Sequence, residues 1–449
     1  MEQNRTSGSI LKTLLAFSVP YLLSYFLQTL YGLADLFIIG QFGDVAGTTA
    51  VSVGSQVMHM VTVMIVGLAM GTTVMIGRAV GAGRREEASH AVGNTVLLFI
   101  VVAAALTAIL LLLRNPIINV MQTPEEAVDG LRDYLTICFL GIPFITAYNV
   151  ISSVFRGLGD SKSPMYFIAV ACCANILLDY LFIGVLGLGP AGAALGTTLA
   201  QTCSVVISLI VIVRKKMLYL TRRSFRPSGS VMKGLLSVGV PVALQDGFIQ
   251  VSFLIITAIA NSRGLTDAAA VGIVEKIIGI LFLVPSSMLS AVSALCAQNI
   301  GAGFYERAKK TLFYAIGIAT GFGLVAAACM AFAAEAVVGL FVSGGDAAVI
   351  HAGAQYLHGY VWDCVLAGIH FCFSGYFCAC KKSGISFLHN TISILCARIP
   401  LAYLASSLFP DTLMPMGVAT AIGSGVSVIV CLIAYTRMRR KNPREMGYQ

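Results

Sequence analysis

The sequence predicts an all-α integral membrane protein with twelve transmembrane helices in two pseudo-symmetric six-helix lobes. Three observations carry that prediction. Of the 449 residues, 57% are hydrophobic and only 11% charged, and mean hydropathy is +0.87. A soluble chain is normally about one quarter charged. Twelve apolar runs have the length of about 20 residues that a bilayer requires. The chain also repeats itself halfway along.

The first six runs lie near residues 14–40, 47–76, 92–113, 131–155, 164–186 and 191–213. The second six lie near 235–262, 268–297, 311–334, 353–378, 384–408 and 415–436. They define an N-lobe (1–213), a basic linker (214–233) and a C-lobe with a basic tail (234–449). The 45 glycines suit close helix approach in lipid. The first apolar run is too long for a signal peptide and reads as a retained helix.

Of the 29 basic residues, most fall at the N-terminus, the even-numbered loops and the C-terminus. Arg114, Arg132 and Arg263 lie on the other side, while Lys276 and Arg398 fall inside runs. The positive-inside rule then puts both termini in the cytoplasm of a cell (inner or plasma) membrane. The formal charge of +9 is thus a topology signal, and nucleic acid is not expected as a partner. The 12 Cys form no CxxC pair and read as small apolar helix residues. His59, His370 and His389 read as isolated. HExxH is absent, and no metal site is expected.

The repeat is read from paired motifs. SVPYLL at Ser18 corresponds to GVPVAL at Gly239, and GAGRREEA at Gly81 to GAGFYERA at Gly301. Tyr134–Leu135 corresponds to Tyr356–Leu357, at an offset of roughly 220 residues throughout. Six crossings per half keep the halves parallel. Such repeats mark secondary transporters, with substrate bound near the midplane between the halves.

The candidate site starts from Asn175 and Asp179, in NILLD. Four residues apart, they stack on one helix face. A carboxylate in so apolar a run is expensive and needs a partner. Asp35, in LADLFIIGQFG, supplies one. The topology puts Asp35, Asp179, Thr197 and Thr198 in the outer halves of their spans and Asn175 near mid-span. Carboxylate, amide and hydroxyl oxygens suit a hard cation such as Na⁺. Alternatively, two carboxylates close together in low dielectric share a proton. The bland alternative is an interhelical hydrogen-bond network with no ion.

Read in order, S-V-P, an acid before F-I-I-G, G-A-G-R-R-E-E-A, R-G-L-G-D-S-K, N-I-L-L-D and G-P-A-G-A-A-L-G-T resemble the multidrug and toxic compound extrusion (MATE) family, prokaryotic type. The resemblance covers essentially the whole chain. It implies two six-helix lobes, V-shaped around a central cavity, and antiport of organic cations or other amphipathic compounds against Na⁺ or H⁺. It also implies that Asp35, Asn175, Asp179 and Thr197 match the family's N-lobe cation site. The second half departs from that pattern. Ile255 or Ile256 stands opposite Asp35, and Ala397 and Leu401 stand opposite Asn175 and Asp179. Some members carry C-lobe acids, but Ile249 and Gln250 occupy the expected Glu positions, and LAGIHFCFSG has no Asp.

Five charged residues fall in or beside the C-lobe runs: Asp246, Glu275, Lys276, Asp363 and Arg398. Glu275 is expected to pair with Arg398 or Lys276, and Asp363, beside Trp362, to sit in water near a helix end. Gln28, Tyr31, Tyr148, Gln245 and Gln250 are the candidate substrate-cavity residues. Pro20 and Pro241 remove helix hydrogen bonds and invite kinks. No catalytic constellation appears, so an enzyme is not expected. The alternative is a flippase for a lipid-linked precursor, whose cavity would need several inward bases. The expected partners are a small-molecule substrate and the lipid bilayer. No cofactor beyond the coupling ion, Na⁺ or H⁺, and no obligate protein partner is implied.

Overall fold

The computed structural model describes residues 6–215, 220–342, 346–441 and 443. Arg5, Lys216, Arg444 and part of the 214–233 linker lie outside the described residues. Among the described residues all regular structure is helical. Eleven helices are long and apolar enough to cross a membrane, or twelve if one bent pair is a single span. They are α1 (Ile10–Phe42), α2 (Val45–Gly81), α3 (Arg85–Val120), α4 (the bent pair), α5 (Lys162–Val185), α6 (Gly189–Arg214), α7 (Gly229–Asn261), α8 (Leu265–Gly301), α9 (Tyr305–Gly339), α10 (Ala347–Ala379), α11 (Ser383–Leu408) and α12 (Met414–Lys441).

Local chemistry explains where these helices start and stop. The bend in α4, 47° between Glu125–Leu140 and Ile142–Gly157, falls at Gly141. Pro143 follows at the start of the second segment, where its missing N–H costs nothing. Asp44 caps α2, accepting from the Gly47 amide at 2.7 Å. In RGLGDSKS, Asp160 accepts from the Lys162 and Ser163 amides at 3.0 and 3.1 Å, and so opens α5. Gly159 before it has φ +89°, and its repeat counterpart Lys381 has φ +58°. The loop thus keeps its left-handed turn in both halves, with no glycine in the second. Pro20 and Pro241 lie inside unbroken α1 and α7.

Two spans contain π-helical turns. One, Tyr180–Val185, ends α5, and the other, Ile394–Arg398, sits inside α11. In α5 the turn begins directly after Asp179, and in α11 it ends on Arg398. Such turns widen the backbone ladder by one residue and occur often at functional sites.

Among the described residues the chain divides into two compact units, one spanning Leu23–Gly239 and the other Val240 onward together with residues 6–22. In the first, Ile39, Val51, Leu131, Leu135 and Phe139 are fully buried in one of the cores. In the second, Val271, Val274, Tyr356, Leu357 and Tyr360 play that part. The linker docks on α3. A short 3₁₀ turn, Arg222–Phe225, is closed by a Thr221–Ser224 capping box. The Asn94 amide then donates to Arg226 O at 3.2 Å and accepts from the Ser228 amide at 2.7 Å. Many outward side chains are apolar: Phe332 is 95% exposed and Leu112 80%. A surface of this kind is a liability in water and ordinary against lipid.

Candidate cation site

The first unit brings Asp35 of α1, Asn175 and Asp179 of α5 and Thr197 of α6 together. Asp35, Asn175 and Asp179 are 3%, 1% and 0% exposed. The Asp35 and Asp179 side chains are in electrostatic contact, and Asn175 neighbours both. One hydrogen bond closes within the set: the Thr197 hydroxyl donates to Asp35 Oδ2 at 3.0 Å. Apart from the contacts of these three side chains with one another, Asp35 Oδ1, both Asp179 oxygens, and Asn175 Oδ1 and Nδ2 have no hydrogen-bond partner, nor has Thr198 Oγ1. Buried oxygens without donors cost free energy and call for a guest.

The surroundings hold this geometry. Gly196, one residue before Thr197, lies directly against the Asp179 carboxylate; a Cβ there would overlap Oδ1. On α4, Tyr134 and Cys138 lie within electrostatic range of Asp35. Tyr31, one helical turn before Asp35, accepts from Gln201 Nε2 at 3.5 Å. The set therefore offers carboxylate, amide and hydroxyl oxygens from three helices, and it contains no basic side chain. Two buried carboxylates require a counter-charge, either a hard cation or a proton shared between them.

Of the expected cavity residues, Gln28 and Tyr148 are neighbours in the first unit. Tyr148 is buried and its hydroxyl donates to Pro164 O at 3.4 Å. Tyr31 belongs to the Asp35 cluster through Gln201. Gln245 and Gln250 lie in the second unit; Gln245 is buried with Oε1 unpartnered, and Gln250 is half-buried.

The second unit corrects the expected charge pairing. Asp363 is not in water. It is 1% exposed and accepts from Arg398 Nη2 at 2.8 Å, and the same nitrogen donates to Tyr360 OH at 3.0 Å. The Arg398 guanidinium lies over the rings of Phe253 and Tyr360, at 5.4 and 5.8 Å. Glu275 instead accepts from Thr257 at 3.1 Å, with Arg398 in its electrostatic surroundings. Lys276 points outward and is exposed. His370 and His389, read as isolated, have ring centroids 5.6 Å apart. His389 also contacts Ser374 and Ser427, at 2.8 and 3.2 Å.

A family model described as MatE matches residues 20–181 and 241–404. The chain belongs to the MatE family. The two matched segments fall in the two halves of the MatE chain, as its repeat requires. A probable multidrug resistance protein, YpnP of Bacillus subtilis (strain 168), is 28% identical over 93% of this chain and 92% of its own. A FAD transporter of Shewanella oneidensis is 25% identical, covering 92% and 94%. Among solved structures, a MOP superfamily transporter from Pyrococcus furiosus has a TM-score of 0.91 at 25% identity, covering 98% of both chains. A MATE structure in complex with MaL6 has a TM-score of 0.90 at 24% identity, covering 97% of both. As a MatE-family protein the chain is a membrane-embedded efflux transporter and not an enzyme.

Sequence reasoning missed Gly196, Gln201, Tyr134 and Cys138 in the first cluster, and the Arg398–Asp363–Tyr360 contact in the second. Only Gln201 carried a linear signal, as a polar residue one turn after Thr197.

Proposed function

We propose that this protein is a secondary active exporter that antiports amphipathic, often cationic compounds against Na⁺ or H⁺ by alternating access. The coupling ion is held by Asp35, Asn175, Asp179 and Thr197. The observation that carries this reading is the pair of buried carboxylates with unpartnered oxygens and no base among them. A permanent structural network would satisfy those oxygens internally. An exchangeable ion satisfies them only while bound, which is what a coupling site requires. The multidrug and FAD relatives support an organic cargo. Gln28, Tyr31, Tyr148, Gln245 and Gln250 are the residues we assign to contacting it.

The test is efflux from proteoliposomes with Na⁺ and proton gradients imposed separately. One gradient should drive export in the wild type. Asp35→Asn, Asp179→Asn and the double variant should all lose that export to a similar degree, since residues acting as a unit are non-additive. Equilibrium substrate binding should survive. Near-normal efflux in either single variant sinks the assignment. A flippase is not supported: Arg398, one of two bases inside the apolar runs, is engaged by Asp363.

The orientation proposed places both termini in the cytoplasm of the cell membrane. Gly229→Cys should then resist an impermeant thiol reagent added to intact cells, and Gln122→Cys should react. The opposite pattern inverts the topology.

A further inference from the structure

The two units build corresponding clusters from corresponding helices. In the first, the contributors are α1, α4, α5 and α6. In the second they are α7 (Phe253), α10 (Tyr360, Asp363), α11 (Arg398) and α12 (Ser424). The register set by Tyr134–Leu135 and Tyr356–Leu357 puts Tyr360 opposite Cys138, and that set by Pro20 and Pro241 puts Phe253 opposite Gly32, next to Tyr31. The first of these registers puts Arg398 opposite Ile176, next to Asn175. Tyr134 lies within electrostatic range of Asp35, and its counterpart Tyr356 within that of Arg398. Both charged ends adjoin a π-turn.

We infer that Arg398 is a tethered cation standing where the second unit would otherwise take one from solution. It therefore fixes ion binding at one site per chain. This rests on the proposed ion site in the first unit and adds a statement about stoichiometry.

The guanidinium engages Asp363 through one nitrogen and one oxygen. Arg398 Nε and Asp363 Oδ1 have no partner. That geometry suits a charge filling a place, and lacks the two-point fork that makes a firm structural pair. The polar part of the wall of a cavity beside it is made by Asp363, His370, Asn390, Ser393, Arg398 and Ser424, and the rest of the wall is apolar. Four of these carry side-chain oxygens, the ligand type a hard cation accepts. Glu275 adds an unpartnered Oε1 within electrostatic range of Arg398. Without Arg398 the cluster would be two acids, hydroxyls and an amide, the same ligand types as in the first unit.

The experiment is equilibrium dialysis of ²²Na⁺ against purified, folded protein at alkaline pH, where protons compete least for carboxylates. Wild type should bind at most one Na⁺ per chain, and Asp35→Asn/Asp179→Asn none. Adding Arg398→Gln to that double variant should restore about one Na⁺, and adding Asp363→Asn as well should abolish it again. Arg398→Lys in the same background keeps a tethered charge and should bind none. If Arg398→Gln folds only with Na⁺ present and not in choline, that also supports the inference. No gain in a folded Arg398→Gln protein overturns it. If Arg398→Gln never folds, the wild-type count still decides: a second Na⁺ per chain, retained in Asp35→Asn/Asp179→Asn, overturns it. Full wild-type binding of a single Na⁺ in Asp35→Asn/Asp179→Asn, lost when Asp363→Asn is added, overturns it too and sinks the first-unit assignment. Loss in that variant with no gain on Arg398→Gln sinks only the tethered cation.

Discussion

Both units bury acids, Asp35 and Asp179 on α1 and α5 in the first and Asp363 on α10 in the second, and differ in what stands beside them. Among the described residues no basic side chain pairs with Asp35 or Asp179, and five polar atoms of Asp35, Asn175 and Asp179 have no partner outside that set. Around Asp363 a guanidinium approaches to 2.8 Å, flanked by two aromatic rings. A buried carboxylate is tolerable only with its charge balanced. When the chain supplies the balance, the cluster's charge is fixed. When it does not, occupancy follows the solution outside. Duplicated frameworks can thus diverge from exchange to permanence through one side chain.

The comparison breaks most easily at stability, because the same kind of substitution should act with opposite sign in the two units. Asp363→Asn strands a buried guanidinium and should cost about 3–5 kcal/mol of stability. Asp35→Asn removes a like charge from beside Asp179 and should leave the melting temperature of the ion-free protein unchanged or raised. Thermal melting of both variants in detergent reads the contrast. Two equal losses would mean that the first cluster is a structural network.

A smaller effect is expected at Gly196. Gly196→Ala drives a methyl group into the Asp179 carboxylate, and overpacking of that kind costs about 1–3 kcal/mol. If the displacement falls on the carboxylate, ion affinity should drop about tenfold to a hundredfold. Coupled efflux measured against ion concentration would show it. Normal ion dependence would mean that Asp179 has room to move and that its contact with Gly196 is incidental.

The smallest effect belongs to Thr197→Val, which deletes the donor to Asp35 Oδ2 and keeps the shape. It should cost about 1 kcal/mol, or roughly fivefold in ion affinity. The same assay should show this shift with maximal efflux retained. An unchanged affinity would remove Thr197 from the site.

The helical repeat was legible because lipid demands long apolar runs, and polar breaks between them are conspicuous. Asp35 and Asp179 were legible for the same reason: a carboxylate stands out in an apolar run. The Asn175–Asp179 pairing followed from helix periodicity alone. Asp363 was misplaced because the tenth span starts at Ala347, earlier than its apolar run suggests. An acid assigned to a wet end therefore lies mid-span, in the first turn of the segment Trp362–Ala379. Its partner Arg398 is 35 residues away on another span, and nothing linear names that pairing. The contact between His370 and His389 was hidden in the same way. Gly196 was invisible because one glycine among 45 carries no mark of what presses against it.

The π-turns have a consequence for reading related chains. A π-turn amounts to one residue inserted in a helix, and one residue rotates everything beyond it by about 100°. The turn after Asp179 therefore uncouples the segment before it from Leu186 onward. Evolution can delete a residue there and turn the downstream face without disturbing the carboxylate. In α11 the turn ends on Arg398, so the same deletion would swing the arginine itself. A one-residue gap in an alignment thus carries different weight in the two halves: near residue 182 it reshapes a helix end, and near residue 396 it decides where a charge points.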